Sequence, residues 1–244
     1  MEHPLLFLDE VDSTNEYVKR NLSSLADGAV VRAGHQTAGK GRLGRKWSDG
    51  KDSLLFSLLL KSRLDPARVS LLPLLAGAAV YKMLEKNSVP AAIKWPNDVL
   101  LDGRKCCGIL VEGISQGSLV KVVLGIGLNL NTLSFPEELA SKATSLRIAT
   151  GKTYDPALVL DEFLAQFDPL YEDYLAGKDT FLTILKAHSF LDGKKVLRNY
   201  YGEGEEVVVL GIQDDGRLLV RRPDGKEESL SAGEVTLSEN YSRF

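Results

Sequence analysis

Apolar residues in this chain follow two periods, and the alternation between them predicts its elements. Residues 4–9 and 29–35 are apolar segments of strand length. Residues 53–60, SLLFSLLL, run apolar without alternating, as a strand buried on both faces does. Residues 66–87 and 156–176 carry helical periodicity. Each follows an Asp-Pro pair, Asp65-Pro66 and Asp155-Pro156, with aspartate placed as N-cap and proline as the first helical residue. Ser13 and Glu16 have capping-box spacing and predict a helix through about Leu25. Between the long helices, 91–95, 98–101, 105–114 and 119–130 alternate or run apolar, with turn signals at Asp102-Gly103 and Gln116-Gly117. The pattern predicts an α+β fold: a mixed, largely antiparallel sheet with helices on one side.

After Asp192-Gly193 the texture changes to short strands at close spacing, punctuated by Asp215-Gly216 and Asp224-Gly225. This predicts a small β-barrel, dividing the chain into residues 1–190 and 191–244. Hydrophobic content of 44% and charged content of 26% are ordinary globular values. A formal net charge of −3 argues against a general nucleic-acid-binding surface. No apolar run reaches the about 20 residues of a membrane helix, so neither nucleic acid nor membrane is an expected partner. The N-terminus has no basic region before its apolar run and does not read as a secretory signal. Nor is there room before residue 13 for a helix-turn-helix module. Cys106 and Cys107 are adjacent and suit neither a long-range disulfide nor a four-cysteine zinc site; they read as buried residues of a cytoplasmic protein.

The candidate chemistry lies in residues 36–47, QTAGKGRLGRKW, which hold three glycines, four cations, one tryptophan and no acid. Glycine lets the backbone approach a ligand, and lysine and arginine supply charge for carboxylate or phosphate. KWPND at 94–98 adds a lysine and an amide–acid pair, and GIGLNLN at 125–131 adds glycines and asparagines. Together they point to an anion-handling site. Gly39, Gly41 and Gly44 satisfy the dinucleotide fingerprint, but Asp49-Gly50 signals a turn and a strand follows where that fingerprint needs a helix. Gly113, Ser115 and Gly117 satisfy the nucleophile-elbow spacing, yet the β-rich sequence beyond them reads as a hairpin. No P-loop occurs, and His3, His35 and His188 have no metal-ligand spacing.

QTAGKGRLGRKW, KWPND, RKCCGILVE and GIGLNLN, in this order and preceded by STN at 13–15, resemble the biotin protein ligases over nearly the whole chain. The resemblance implies a class II synthetase-like, biotin–lipoate ligase fold with an SH3-like C-terminal barrel, in the short form without an N-terminal DNA-binding domain. It implies that biotin is activated with ATP to biotinyl-5′-AMP and pyrophosphate, then passed to a lysine of a biotin carboxyl carrier protein. Magnesium would accompany ATP as cofactor. The family contains monomers and dimers, so a homodimer through a sheet edge is one expected state.

By position, the resemblance assigns Ser13, Thr14, Asn15, Gln36, Lys40, Gly41, Arg42, Lys105 and Gly108 to biotin. It assigns Arg42, Arg45, Trp47, Asn97, Gly125, Gly127 and Asn129 to ATP and the adenylate. Lys105, Arg42 and Lys94 are the implied catalytic residues, and Asp98 is implied in phosphate, magnesium or acceptor-lysine handling. The family usually has arginine where this chain has Lys40, which keeps the charge and loses the planar fork. Two other readings stand beside this one: a lipoate or octanoate protein ligase of the same superfamily, and a non-catalytic biotin-binding regulator.

Overall fold

Strands β1 (Leu5–Val11) and β2 (Val30–Gln36) pair in parallel, so the chain between them must cross over, and it does so through helix α1 (Thr14–Arg20). The structure is a computed structural model and describes residues 1–47, 53–61, 64–116, 119–200, 203–231 and 234–237. The expected turn at Asp49-Gly50 and the glycine of Gln116-Gly117 lie outside the described residues. Ser13 is the N-cap of α1, but its hydroxyl makes no cap bond. Its amide donates to Asp12 Oδ1 (2.8 Å), and Glu16 pairs with Lys19 and Lys40, so neither arm of the expected capping box forms. The helix ends at Arg20 rather than near Leu25.

Strand β3 (Leu54–Leu60) is buried at every position, as its unbroken apolar run requires. The chain continues through a 3₁₀ turn (Pro66–Leu71) into α2 (Leu72–Lys86), then β4 (Ala92–Lys94), β5 (Asp98–Leu101), β6 (Arg104–Gln116) and β7 (Leu119–Leu128). The Asp102-Gly103 turn joins β5 to β6 with both residues at positive φ, 49° and 74°. The sheet order is β1-β2-β3-β7-β6-β5-β4, antiparallel except at β1–β2. Short helices α3 (Glu137–Ala140) and α4 (Leu146–Thr150) precede α5 (Pro156–Leu175) and α6 (Phe181–Ala187). Asp65 and Asp155 cap as expected, accepting from the amides of Ala67 (2.9 Å) and Ala157 (2.7 Å).

Alternate positions of β3 serve different faces. Phe56, Leu58 and Leu60 join the large core under α2 and α5, where the Phe56 and Phe163 rings meet edge to face at 5.3 Å. Leu59 joins a small separate core with Val18 of α1, Val31 and Val123. One helix, α1, therefore departs from the one-sided arrangement and covers part of the opposite face. The stretch Pro66–Lys86, 21 residues with mean hydropathy 1.3, is long and apolar enough to cross a membrane by composition, which corrects the expectation of no such run. Most of the apolar side chains of its α2 part are instead buried in the core, where α2 packs on α5, α6 and β6.

Strands β8 (Lys195–Tyr200), β9 (Glu203–Ile212), β10 (Leu218–Arg221), β11 (Glu227–Leu230) and β12 (Glu234–Leu237) form a second, antiparallel sheet in the order β11-β10-β9-β8-β12. Its inward residues, Val196, Val207, Val209, Ile212, Leu218, Val220 and Val235, are continuous with the core under α2 and α6. The two sheets therefore share one apolar interior.

Candidate active site

The site lies on the α1 face of the first sheet, because that face carries glycines where its neighbours carry side chains. Cross-strand pairing puts Leu55, Gly127 and Gly108 on one row and Ser57, Gly125 and Leu110 on the next. Residues directly opposite on paired strands point to the same face. The three glycines leave a shallow floor, and other groups lie directly on it. A Cβ on Gly127 would meet the Trp47 indole at 2.5 Å, and one on Gly125 would meet Asn15 Oδ1 at 2.2 Å.

Residues 36–47 fold back over this floor. Gly41 N donates to Arg45 O (2.7 Å), Trp47 N donates to Gly39 O (2.9 Å), and Lys40 and Lys46 form a bridge. The result is a hairpin-like flap with a 3₁₀ turn, Arg42–Gly44, at its tip. A narrow cleft lies beneath. Ser13, Thr14, Asn15 and Gln36 form one wall, and Lys40, Gly41, Arg42 and Trp47 form the roof. Asn97, Lys105 and Gly108 also line it.

A second cleft adjoins the first and shares Gly41, Arg42, Trp47, Asn97 and Lys105 with it. Arg42, Arg45, Lys46, Lys94 and Lys105 line it, against Asp98 as the one carboxylate among the described lining residues. This is strongly cationic lining on a chain of net charge −3. Five cations facing one acid suit a polyanion. Lys105 Nζ lies 2.7 Å from Asp98 Oδ1 and 5.4 Å from the Trp47 ring centre. The Lys105 backbone is fixed on both sides, donating to Lys142 O (2.8 Å) and accepting from Thr144 N (2.9 Å). Arg42 Nη1 donates to Asn97 Oδ1 (3.0 Å), tying the flap to the turn between β4 and β5.

Asn15, Lys40 and Asn129 also carry contacts within the protein. Asn15 is engaged at both ends of its amide: Nδ2 donates to Glu112 Oε2 (2.8 Å), and Oδ1 accepts from Ser57 Oγ (2.5 Å). It braces the wall that it lines, and Gly125 lies beneath it. Lys40 Nζ donates to Glu16 Oε1 (2.6 Å), so it fastens the flap to α1. Asn129 is buried outside the lining of both clefts; Nδ2 donates to Thr144 O (3.0 Å), while Oδ1 has no partner among the described residues. The other assigned residues each line one cleft or the other.

Sequence reasoning missed the groups behind the wall. Ser57, the serine inside an otherwise apolar strand, was the available signal. Its hydroxyl lies 2.7 Å from Thr14 Oγ1, and Gln36 Oε1 accepts from Thr14 N (2.7 Å). Lys19 bridges Glu112 (2.8 Å) and Glu16 (2.7 Å). Burial disfavours the Lys19 ammonium, but hydrogen bonds to Glu112 and Glu16 outweigh it and raise its pKa. Hydrogen bonds from Lys19 and Lys40 hold the Glu16 carboxyl below its ordinary range. At the head of α1, the Arg20 guanidinium draws Asp12 down to about 2, so Asp12 is ionised when it accepts the Ser13 amide.

Both cysteines are buried on β6 behind the site; burial pushes Cys106 up to about 12 and raises Cys107 as well. Neither thiol is expected to react with a bulky aromatic disulfide in the native protein, and both should react in guanidinium. A native reactive thiol would mean that the β6–β7 core opens in solution.

Gly127→Ala tests the floor. The added methyl should displace the Trp47 indole, shift its fluorescence to the red and weaken binding of any ligand in the clefts by about tenfold, the effect of roughly 1.4 kcal/mol. Trp95, the other tryptophan, is not among the groups that a Cβ on Gly127 would meet, so its emission should stay constant. An unshifted spectrum would remove the indole from the floor.

Comparison with known proteins gives a consistent result. Residues 7–129 match the biotin/lipoate A/B protein ligase family, and residues 194–238 match the biotin protein ligase C-terminal domain. A bifunctional ligase/repressor of Bacillus spizizenii is 34% identical over 244 residues, covering 95% of this chain and 74% of that protein. A biotin–[acetyl-CoA-carboxylase] ligase of Paracoccus denitrificans is 32% identical over 232 residues, covering 90% and 95%. The structure of an Aquifex aeolicus biotin protein ligase in complex with biotin and ATP superposes with a TM-score of 0.84 at 30% identity, covering 96% of this chain and 98% of that one.

Proposed function

The chain belongs to the biotin/lipoate A/B protein ligase family, and we propose that within it the protein is an ATP-dependent biotin protein ligase. The observation that carries this is the set of residues common to both clefts, Gly41, Arg42, Trp47, Asn97 and Lys105. A carboxylate entering from the glycine-floored cleft would meet a phosphate entering from the cationic cleft beside these groups. Biotin protein ligation needs such an encounter. A biotin carboxylate oxygen attacks the α-phosphorus of ATP, the bond to the bridging oxygen breaks, and pyrophosphate leaves with that electron pair. A lysine amine then attacks the acyl carbon of biotinyl-5′-AMP, loses a proton, and AMP departs.

In this reading residues 1–190 carry both half-reactions, and residues 191–244 form the companion barrel. Both substrates of the first step are anions, so their approach is costly unless fixed cations stand between them. Lys105 and Arg42 take that place, with Lys94 and Arg45 on the phosphate side. Asp98 orients the Lys105 ammonium. The wall of Ser13, Thr14 and Gln36 offers hydroxyl and amide groups to the ureido ring.

Among the described residues no three acidic, histidine or cysteine side chains converge as a metal site. Magnesium carried on the ATP phosphates would neutralise phosphate charge, and Asp98, the carboxylate among the described residues that line the cationic cleft, would be its protein ligand. The acceptor in this reading is a lysine of a biotin carboxyl carrier protein in the cytoplasm. A homodimer would use the free edge of β1, where Leu5 and Phe7 are exposed.

The match to the biotin protein ligase C-terminal domain and the biotin-bound Aquifex neighbour favour biotin over lipoate. Biotin-dependent ATP–pyrophosphate exchange, with lipoate and octanoate in parallel, is the test. Exchange with biotin alone supports the reading. Exchange with lipoate or octanoate alone moves the chain to the sister ligases. No exchange with biotin still tightly bound makes it a regulator.

A further inference from the structure

Trp95 and Gly216 lie in turns that belong to different sheets, yet Trp95 Nε1 donates to Gly216 O at 3.0 Å in a buried contact. The turn that supplies this carbonyl connects β9 to β10 and is internally braced. Gln213 N donates to Arg217 O (2.8 Å), Gly216 N to Gln213 O (3.0 Å), and Arg217 N to Asp215 Oδ1 (3.1 Å). It is also inserted tightly. Gly216 has φ of +79°, and a Cβ there would meet Leu71 Cδ2 at 2.6 Å and Leu74 Cδ1 at 2.9 Å, at the start of α2. Lys186 of α6 pairs with Asp214 beside it.

Trp95 sits inside the KWPND segment. Lys94, Pro96, Asn97 and Asp98 line the cationic cleft with it, and Val235 of β12 completes that lining from the second sheet. None of Lys94, Trp95, Pro96, Asp98 or Val235 lines the wall that holds the other substrate. The second sheet therefore touches the site on its phosphate side, through one indole hydrogen bond and one valine.

We infer that the β9–β10 turn positions the phosphate-binding side of the site, with Trp95 and Gly216 as positioning residues that hold Lys94 and Asp98 in place. This rests on the biotin ligase reading. The turn fixes the indole, the indole fixes the β4–β5 turn, and that turn sets where a lysine and an aspartate meet ATP. A purely structural contact would stabilise the fold and leave substrate affinities alone. A positioning contact must weaken ATP more than biotin, because a misplaced cation by 1 Å is costly to the polyanion it serves.

The test uses the full chain and three variants. Trp95→Phe removes the N–H and keeps the aromatic body. Gly216→Ala forces a side chain into the contact at positive φ. Val220→Ala creates a cavity in the second sheet's core at the β9–β10 ladder, opposite Val209, and lowers stability while leaving the Trp95–Gly216 hydrogen bond in place. ATP KM is read from biotin-dependent exchange, biotin Kd from titration without ATP, and folding from thermal melting. Trp95→Phe should raise ATP KM about tenfold, the effect of one lost buried hydrogen bond, with biotin Kd within about twofold. Gly216→Ala should act in the same sense and more strongly, and Val220→Ala should lower the melting temperature only. An unchanged ATP KM in folded Trp95→Phe overturns the inference. So does a rise of biotin Kd in step with ATP KM, or an equal ATP KM rise in Val220→Ala. Wild-type protein is assayed first, since its failure to exchange would overturn the ligase reading itself.

Discussion

Lys105→Ala is expected to slow biotinyl-adenylate formation by roughly 10²–10³-fold, the usual loss when one preorganised charge donor is removed from an active site. The fold should survive. The Lys105 backbone is held by the β5–β6 ladder and by hydrogen bonds to Lys142 and Thr144, which alanine keeps. Its side chain is about a third exposed, so little burial is lost. The chemical loss is twofold. The cation between the clefts disappears, and Asp98 loses the ammonium 2.7 Å away, leaving a carboxylate that repels phosphate. Single-turnover formation of the adenylate, with melting temperature alongside, separates chemistry from stability. A near-normal rate would remove Lys105 from the mechanism and place the carboxylate–phosphate encounter elsewhere.

Arg42→Gly is the second large effect, and it concerns retention rather than formation. Arg42 lines both clefts and ties the flap to Asn97 through one 3.0 Å hydrogen bond. Glycine removes the tie and adds backbone freedom to a segment already rich in glycine. The flap should then open more often over a hydrolysable mixed anhydride, and biotinyl-adenylate should escape about tenfold faster or more. Rapid filtration of enzyme preloaded with labelled biotin and ATP measures the escape rate directly. Retention equal to wild type would show that the flap closes without Arg42. Lys40 offers an internal comparison, since its contact is to Glu16 on α1 at a half-exposed site. Such pairs contribute little, so Lys40→Met should accelerate escape much less than Arg42→Gly.

Several features were legible because their causes are local. The two Asp-Pro caps, the apolar β3 run and the Asp102-Gly103 turn each depend on residues within a few positions, and each formed as expected. The cationic glycine-rich segment was legible for the same reason: charge density and backbone freedom are properties of the segment itself. The capping box failed because two competitors closer in space, Asp12 and the Lys19–Lys40 pair, took its partners.

What the sequence by itself determined, then, is most of the strands, the two long helices, several turns, the α+β class, and which short segments carry anion chemistry, whereas the short helices α3, α4 and α6 left no signal that was read. Only the tertiary structure decided the parallel pairing of β1 with β2, the gathering of Gly108, Gly125 and Gly127 on the α1 face, and Ser57 behind the wall. It alone turned Lys40 and Asn15 into struts and joined Trp95 to Gly216 across 121 positions. The physical reason is range. Turn and cap preferences act over a few residues, whereas these contacts arise where packing and register bring distant side chains within hydrogen-bonding reach.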